Sequence, residues 1–262
     1  MEVLQFKLSG KSAFFKKPEV NTYGYFTYGN IHKIALLGIL GAILGYKGYG
    51  NPFKTINKKK KMDLKPSYPD FYDNLRDLKI SILPYKGVGT IPKKMQSFNN
   101  SVGYASQEKG GNLIVKQQWL ENPAWIICIL LDCERANEVK NALEHKICEF
   151  YPYLGSNDHF ADITDVQIRK ASKIEQEYYH IDSFILKDNV VWLDEDDIDE
   201  EDSNNQAEFK YEEALPYLLD GYTNNYILKK FIYTGWFIDI KDTAVYKLAA
   251  DDNNDEKQIV FY

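Results

Sequence analysis

Cysteine is scarce in this 262-residue chain. Cys128, Cys133 and Cys148 are odd in number and form no Cys-x-x-Cys pair. That excludes a disulfide framework and a zinc knuckle, and a reducing cytoplasm is the expected setting. Long apolar runs are also missing. Ile34–Leu44 falls well short of the roughly 20 residues that a bilayer span requires, so no membrane association is expected. Met1–Leu8 alternates like a strand and lacks the apolar centre of a secretory leader. Histidine is rare as well: His145 and His180 have no carboxylate at metal-ligand spacing, and His159, between Asp158 and Asp162, reads as a loop residue. Ser9-Gly10-Lys11-Ser12 lacks the upstream glycine of a phosphate-binding loop, and no serine, cysteine or aspartate sits in a nucleophile-elbow setting. No metal or cofactor is expected, and the chain is a poor enzyme on sequence grounds.

What the chain does have is a strong internal charge split. Residues 1–120 carry a net charge of +12 and residues 121–262 a net of −18. The whole-chain value of −6 conceals a basic half suited to neutralising phosphates. In that half, Lys16 and Lys17 are interleaved with Phe14, Phe15, Tyr23, Tyr25, Phe26 and Tyr28. Such a pattern can track phosphates and stack bases, and it equally suits an amphipathic loop on a core. Lys58–Lys61 reads as a solvated run.

Glu2–Leu8 and Leu78–Pro84 read as strands, and Leu113–Trp119 and Trp125–Leu131 as a strand pair turning at Asn122-Pro123. The last has only Cys128 as a polar residue and should be a central strand covered on both faces. Helices are expected at Lys33–Gly45 and Glu134–Lys146, and a further strand at Phe150–Leu154. The resulting order, strand–helix–strand–strand–helix–strand, is the split βαβ plan of a ferredoxin-like α+β fold, shared with RNA-binding sheets. Tyr85–Gly111 is too long for an ordinary connection and is read as an extended arm. The expected domains are 1–172, with a thumb arm at about 86–111, and a small β-rich region at 173–262 containing the acidic loop 194–202.

The stretch Tyr28–Gly45 draws attention first. Asn30 is a suitable N-cap, Gly45 a suitable stop, and Gly38 and Gly41 suggest close approach of a neighbour. With His32 and Lys33 at the entrance, the free amides and dipole favour an anion, although a plain core helix explains the apolar body equally well. His32, Lys33 and Tyr28 could also be cast as base, cation and donor for metal-independent RNA cleavage.

Several segments in this order resemble a known family. GKSAFFKKP at Gly10–Pro18, KIALLGILGAILG at Lys33–Gly45, LIVKQQWLENPAW at Leu113–Trp125, FYPYLGSNDHFADITDV at Phe150–Val166 and EALP at Glu213–Pro216 are similar to the CRISPR-associated RAMP-superfamily Cascade subunit that binds the 5′ handle of the guide RNA. This is the Cas-five family, and the flavour is type I-B. The resemblance implies a ferredoxin-like core with a thumb hairpin. It implies a non-catalytic crRNA-binding subunit for antiviral defence, capping the crRNA 5′ handle and assembling with Cascade backbone and large subunits, with target DNA a further partner inside the complex. Lys11, Lys16, Lys17 and Lys33 would meet phosphates, Tyr28 or His32 would stack on or hydrogen-bond a splayed base, and Lys93 and Lys94 on the thumb would wedge at the handle–spacer junction, with Asn30, Lys116 and Gln117 also expected to bind RNA. One branch of the family cleaves precursor RNA with a Lys-His pair. Here that position is Lys116-Gln117, without the imidazole. The alternatives are a metal-independent endoribonuclease and a protein-only scaffold.

Overall fold

The computed structural model describes residues 1–19, 24–50, 66–101, 103–104, 107–193, 207–250 and 256–262. Tyr23, the Lys58–Lys61 run and the acidic loop 194–202 lie outside the described residues.

β1 (Glu2–Ser9) follows its alternation: Leu4, Phe6 and Leu8 point to one core, while Val3 points to another on the opposite face of the sheet. It lies between β6 (Ala124–Leu130) and β7 (Asp162–Ile174), antiparallel to both, and β6 pairs in turn with β3 (Ile80–Pro84). β13 (Val245–Leu248) and β14 (Lys257–Val260) extend the sheet, giving the order β14-β13-β7-β1-β6-β3. Ile80 and Tyr262 exchange backbone hydrogen bonds at 2.9 and 3.3 Å. The residues after β14 therefore reach the far edge, and the sheet curls round on itself.

The helices pack on the face carrying Leu4, Phe6, Ile82, Ile127 and Ile129. They are α1 (Lys33–Leu44), α2 (Asp70–Leu75) and α3 (Glu134–Glu144). The opposite face buries Val3, Cys128, Leu130, Leu248 and Ile259. β6 is thus central and covered on both sides, as its unbroken apolar run requires.

Three smaller sheets complete the fold. β2 (Ser12–Ala13), β5 (Ile114–Glu121) and β4 (Lys93–Asn99) lie in the order β2-β5-β4. The β4–β5 pair is a long antiparallel hairpin. β10 (Ala207–Leu219) and β11 (Tyr226–Gly235) form a second hairpin, extended by β8 (Ile185–Leu186), and β9 (Val190–Trp192) pairs with β12 (Ile238–Ile240).

Several expectations need correction. β5 and β6 are not paired with each other. At Asn122, which adopts φ 47°, the chain leaves one sheet for another, and asparagine tolerates that left-handed conformation better than most residues. The strand expected at Phe150–Leu154 is loop; the strand after α3 is β7. The domain boundary expected at residue 172 falls inside β7, whose Ala171–Ile174 pairs with β13 from the C-terminal region. In α1 the N-cap is His32, not Asn30: His32 Nδ1 accepts from the Ala35 amide at 3.1 Å. Gly45 does end the helix, at φ 79°. A side chain at Gly41 would overlap Phe71 of α2, but one at Gly38 would meet nothing, so close approach accounts for the former only.

Candidate nucleic-acid interface

The residues singled out in sequence separate into two groups in space. The first group, at the α1 entrance, is interior. Tyr28, Asn30, His32 and Lys33 are all buried, because the β10–β11 hairpin covers the helix end. Glu213 of β10 accepts the Gly29 amide with both carboxylate oxygens, at 2.9 and 3.0 Å, and the Tyr211 hydroxyl at 2.6 Å. Asn30 donates through Nδ2 to the Gly89 carbonyl and accepts from Trp125 Nε1 at 2.9 Å. The expectation that this entrance presents itself to an anion is therefore corrected: carboxylate, carbonyl and rings already occupy it.

His32 is 3% exposed. Its ring lies edge-on to Phe15, Tyr28 and Tyr226, with centroids 5.3–5.9 Å away. Since Nδ1 accepts from Ala35, the proton of the neutral ring resides on Nε2, and burial pushes the imidazole pKa down to about 3. Burial also lowers the Lys33 ammonium to about 8, partly opposed by Asp77, and Lys33 Nζ lies 5.2 Å from the Tyr217 ring centre. Burial drives the Tyr28 phenol pKa upward.

The His32 environment carries a pH prediction. The unfolded chain binds a proton near pH 6.5 and the folded chain only near 3, so stability falls as pH drops through that window. Below pH 6.5 the loss is about 1.4 kcal/mol per pH unit from this ring. His32→Asn keeps an acceptor for the Ala35 amide but cannot titrate. Urea unfolding between pH 6.5 and 4 should therefore give a shallower pH slope for the variant; identical slopes would refute the assignment.

The second group is at the surface. Lys16 and Thr27 form a bridge, and the return segment at 24–27 lies against β5 through Tyr25 and Gln117. The Tyr25 amide donates to the Lys116 carbonyl at 2.9 Å, and the Gln118 amide to the Tyr25 carbonyl at 2.8 Å. Lys16 Nζ sits 4.1 Å from the Tyr25 ring centre. Lys17, Glu19, Phe26, Thr27, Lys93 and Gln118 line a cleft of about 340 Å³ between this return and the β4–β5 hairpin. Lys17 Nζ lies 3.9 Å from Glu213 and 5.3 Å from the Tyr28 ring centre. Lys93 makes no ion pair among the described residues. Lys94 is paired with Glu121 at 3.0 Å. Lys11 and Lys116 are exposed away from the lining, and Gln117 is held by Trp119 Nε1 at 2.8 Å. The structure thus brings Lys17 and Lys93, 76 positions apart, to one cleft.

Sequence reading missed Glu19, Thr27 and Gln118. The signal for Gln118 was available, since strand alternation puts it on the same face as Lys116. His159 is the loop residue that the sequence suggested, but its contacts were not foreseen. It is buried, 2.6 Å from Ser12 Oγ through Nδ1 and edge-on to Trp119 at 4.7 Å, where burial lowers its pKa. It ties the base of the β4–β5 hairpin to the loop before β7.

Residues 3–215 match the family described as CRISPR-associated protein, Cas5. The chain belongs to the Cas5 family. No curated protein matches the sequence. Among solved structures, this Cas5 chain resembles one in a CRISPR RNA-guided surveillance complex, with TM-score 0.51 and 11% identity over 91% of both chains. At that identity the likeness shows the fold, a mixed α/β arrangement built mostly of strands. A CRISPR protein from Archaeoglobus fulgidus matches over 99% of both chains at 9% identity with TM-score 0.45. Another, a crystal structure of a Cas protein, matches at 15% identity with TM-score 0.34; the match takes 59% of this Cas5 chain and spans 57% of the other's length. Among the described residues no helix is long and apolar enough to cross a membrane, and no cluster of His, Cys, Asp and Glu could hold a metal ion.

Proposed function

We propose that this Cas5 chain is a non-catalytic crRNA-binding subunit of a type I, I-B-like Cascade complex that caps the 5′ handle of the guide RNA. The observation that carries the reading is the cleft shared by Lys17, Lys93, Phe26, Thr27 and Gln118. Two cations suit a phosphate, a half-exposed ring suits a base face, and the amide and hydroxyl suit base edges or a 2′-hydroxyl. Glu19 in the same wall adds an acceptor for an amino or hydroxyl group.

In this reading the β7-β1-β6-β3 segment, antiparallel throughout with helices joining β1 to β3 and β6 to β7, is the ferredoxin-like core. The β4–β5 hairpin is the thumb, and the acidic C-terminal half faces protein subunits. The endoribonuclease alternative is weakened by the burial of His32, whose Nδ1 is already engaged.

Filter binding of handle RNA against salt tests the reading. The Lys17→Ala/Lys93→Ala double variant should shallow the log–log salt slope by about 1.4, at about 0.7 per single-strand phosphate contact. An unchanged slope would remove these lysines from the interface, and cleavage of repeat RNA in EDTA would revive the enzyme.

A further inference from the structure

One group in the Lys17–Lys93 cleft does not suit a phosphate. Glu19 lines it beside the two lysines, Phe26 and Gln118, and is exposed. Two lysines in the same cleft could neutralise such a carboxylate. Instead Lys17 Nζ lies 3.9 Å from Glu213 of β10, and Glu19 forms no ion pair or side-chain hydrogen bond among the described residues. The Gln118 carboxamide is also without a hydrogen bond among them; the backbone amide of this residue is the group that Tyr25 engages.

An unpaired carboxylate beside a phosphate path weakens binding by like-charge repulsion. It suits a base, whose edge carries hydrogen-bond donors. A carboxylate only accepts, and through two oxygens side by side, so it fits an edge with two adjacent donors. Among the four RNA bases guanine alone has one: N1–H and the N2 amino group lie together on its Watson–Crick edge. Adenine and cytosine set a ring-nitrogen acceptor beside their amino group, and uracil flanks its single N–H with carbonyls. Each of these would turn a lone pair towards the second carboxylate oxygen. The remaining group on the guanine edge is the O6 acceptor, and the Gln118 carboxamide brings a donor to the same cleft. Phe26, 40% exposed, offers a ring face on which a base can stack.

We infer that Glu19 makes this cleft selective for guanine: its carboxylate accepts from N1–H and the N2 amino group of one splayed nucleotide, Gln118 donates to O6, and Phe26 stacks on the base. The inference rests on the reading of the cleft as an RNA site and adds which base it takes.

Fluorescence anisotropy with the purified chain and short RNAs of one length tests this. The RNAs are all uridine except at the central position, which is guanosine, adenosine, cytidine or inosine, so the phosphate contribution is the same throughout. The guanosine RNA should bind about tenfold tighter than the adenosine or cytidine RNA, as one good bidentate pair discriminates. Inosine, which lacks the N2 amino group, should lose most of that advantage. Glu19→Gln sets a donor beside the acceptor and should bring guanosine and adenosine within about twofold of each other, while all-uridine RNA binds at least as tightly as to wild type. Adenosine or cytidine bound as tightly as guanosine, or a guanosine preference that survives in Glu19→Gln, overturns the inference and leaves the RNA reading standing. Failure to bind any of these RNAs at low salt removes the RNA reading, and this inference with it.

Discussion

Gly155→Ala will destabilise the protein by about 4 kcal/mol or more, beyond the range of most single substitutions. Gly155 adopts φ 94°, where a side chain is strained, and a Cβ there would lie 2.6 Å from the Phe14 carbonyl carbon and 3.2 Å from the Phe15 amide nitrogen. Neither neighbour can yield, since both are backbone, and the Phe14 amide is itself fixed to the Leu154 carbonyl at 3.0 Å. The strained conformation alone costs about 1–2 kcal/mol, and the overlap must be relieved by separating the 150–160 loop from the chain that leaves β2 at Phe14 and Phe15. Urea unfolding measures this directly; a loss below about 1 kcal/mol would mean that the two segments do not touch as described. The His159–Ser12 contact should be lost along with the packing.

Trp125→Ala will cost about 3–5 kcal/mol, the usual range for deleting a buried large aromatic. The ring is fully buried at the meeting of β6, α1 and Phe15. Trp125→Phe separates two contributions. It keeps most of the apolar volume but leaves Asn30 Oδ1 without the indole donor, a buried acceptor worth about 1–3 kcal/mol. If Phe is as stable as Trp, Asn30 is satisfied by water and the link from the helix entrance to the sheet is dispensable.

These two positions show what could be read from sequence. β1 and α3 were legible because their burial follows a local period, two for the strand and 3.6 for the helix, and β6 and α1 because each is an almost unbroken apolar run bounded by turn or cap signals. Asn30 was misassigned because its partners, Gly89 and Trp125, lie 59 and 95 positions away; the local cue for capping was real, but tertiary contacts claimed the side chain first. β7 was missed for a different reason. Its apolar residues Ile163, Val166 and Ile168 break strict alternation, because the register against β1 shifts between Gln5 and Lys7 and Asp165 takes φ 54°.

The site divides along the same line. Individual lysines were visible, but which two share a cleft depends on how residues 16–19 and 24–27 meet the β4–β5 hairpin. The helix entrance looked exposed only because the residues that cover it, Tyr211, Glu213 and Tyr226, come from the other end of the chain.

The central position of β1 and the closure of the sheet at Ile80 and Tyr262 also bear on how the chain folds as it is synthesised. Both partners of β1 lie more than a hundred residues downstream of it, and the edge of β3 is closed by Tyr262, some 180 positions after Ile80. Contacts this distant along the chain form late and slowly. The apolar faces of β1 and α1 therefore wait unpartnered while most of the chain is made, and it is in that interval, rather than after folding, that the protein is most exposed to aggregation.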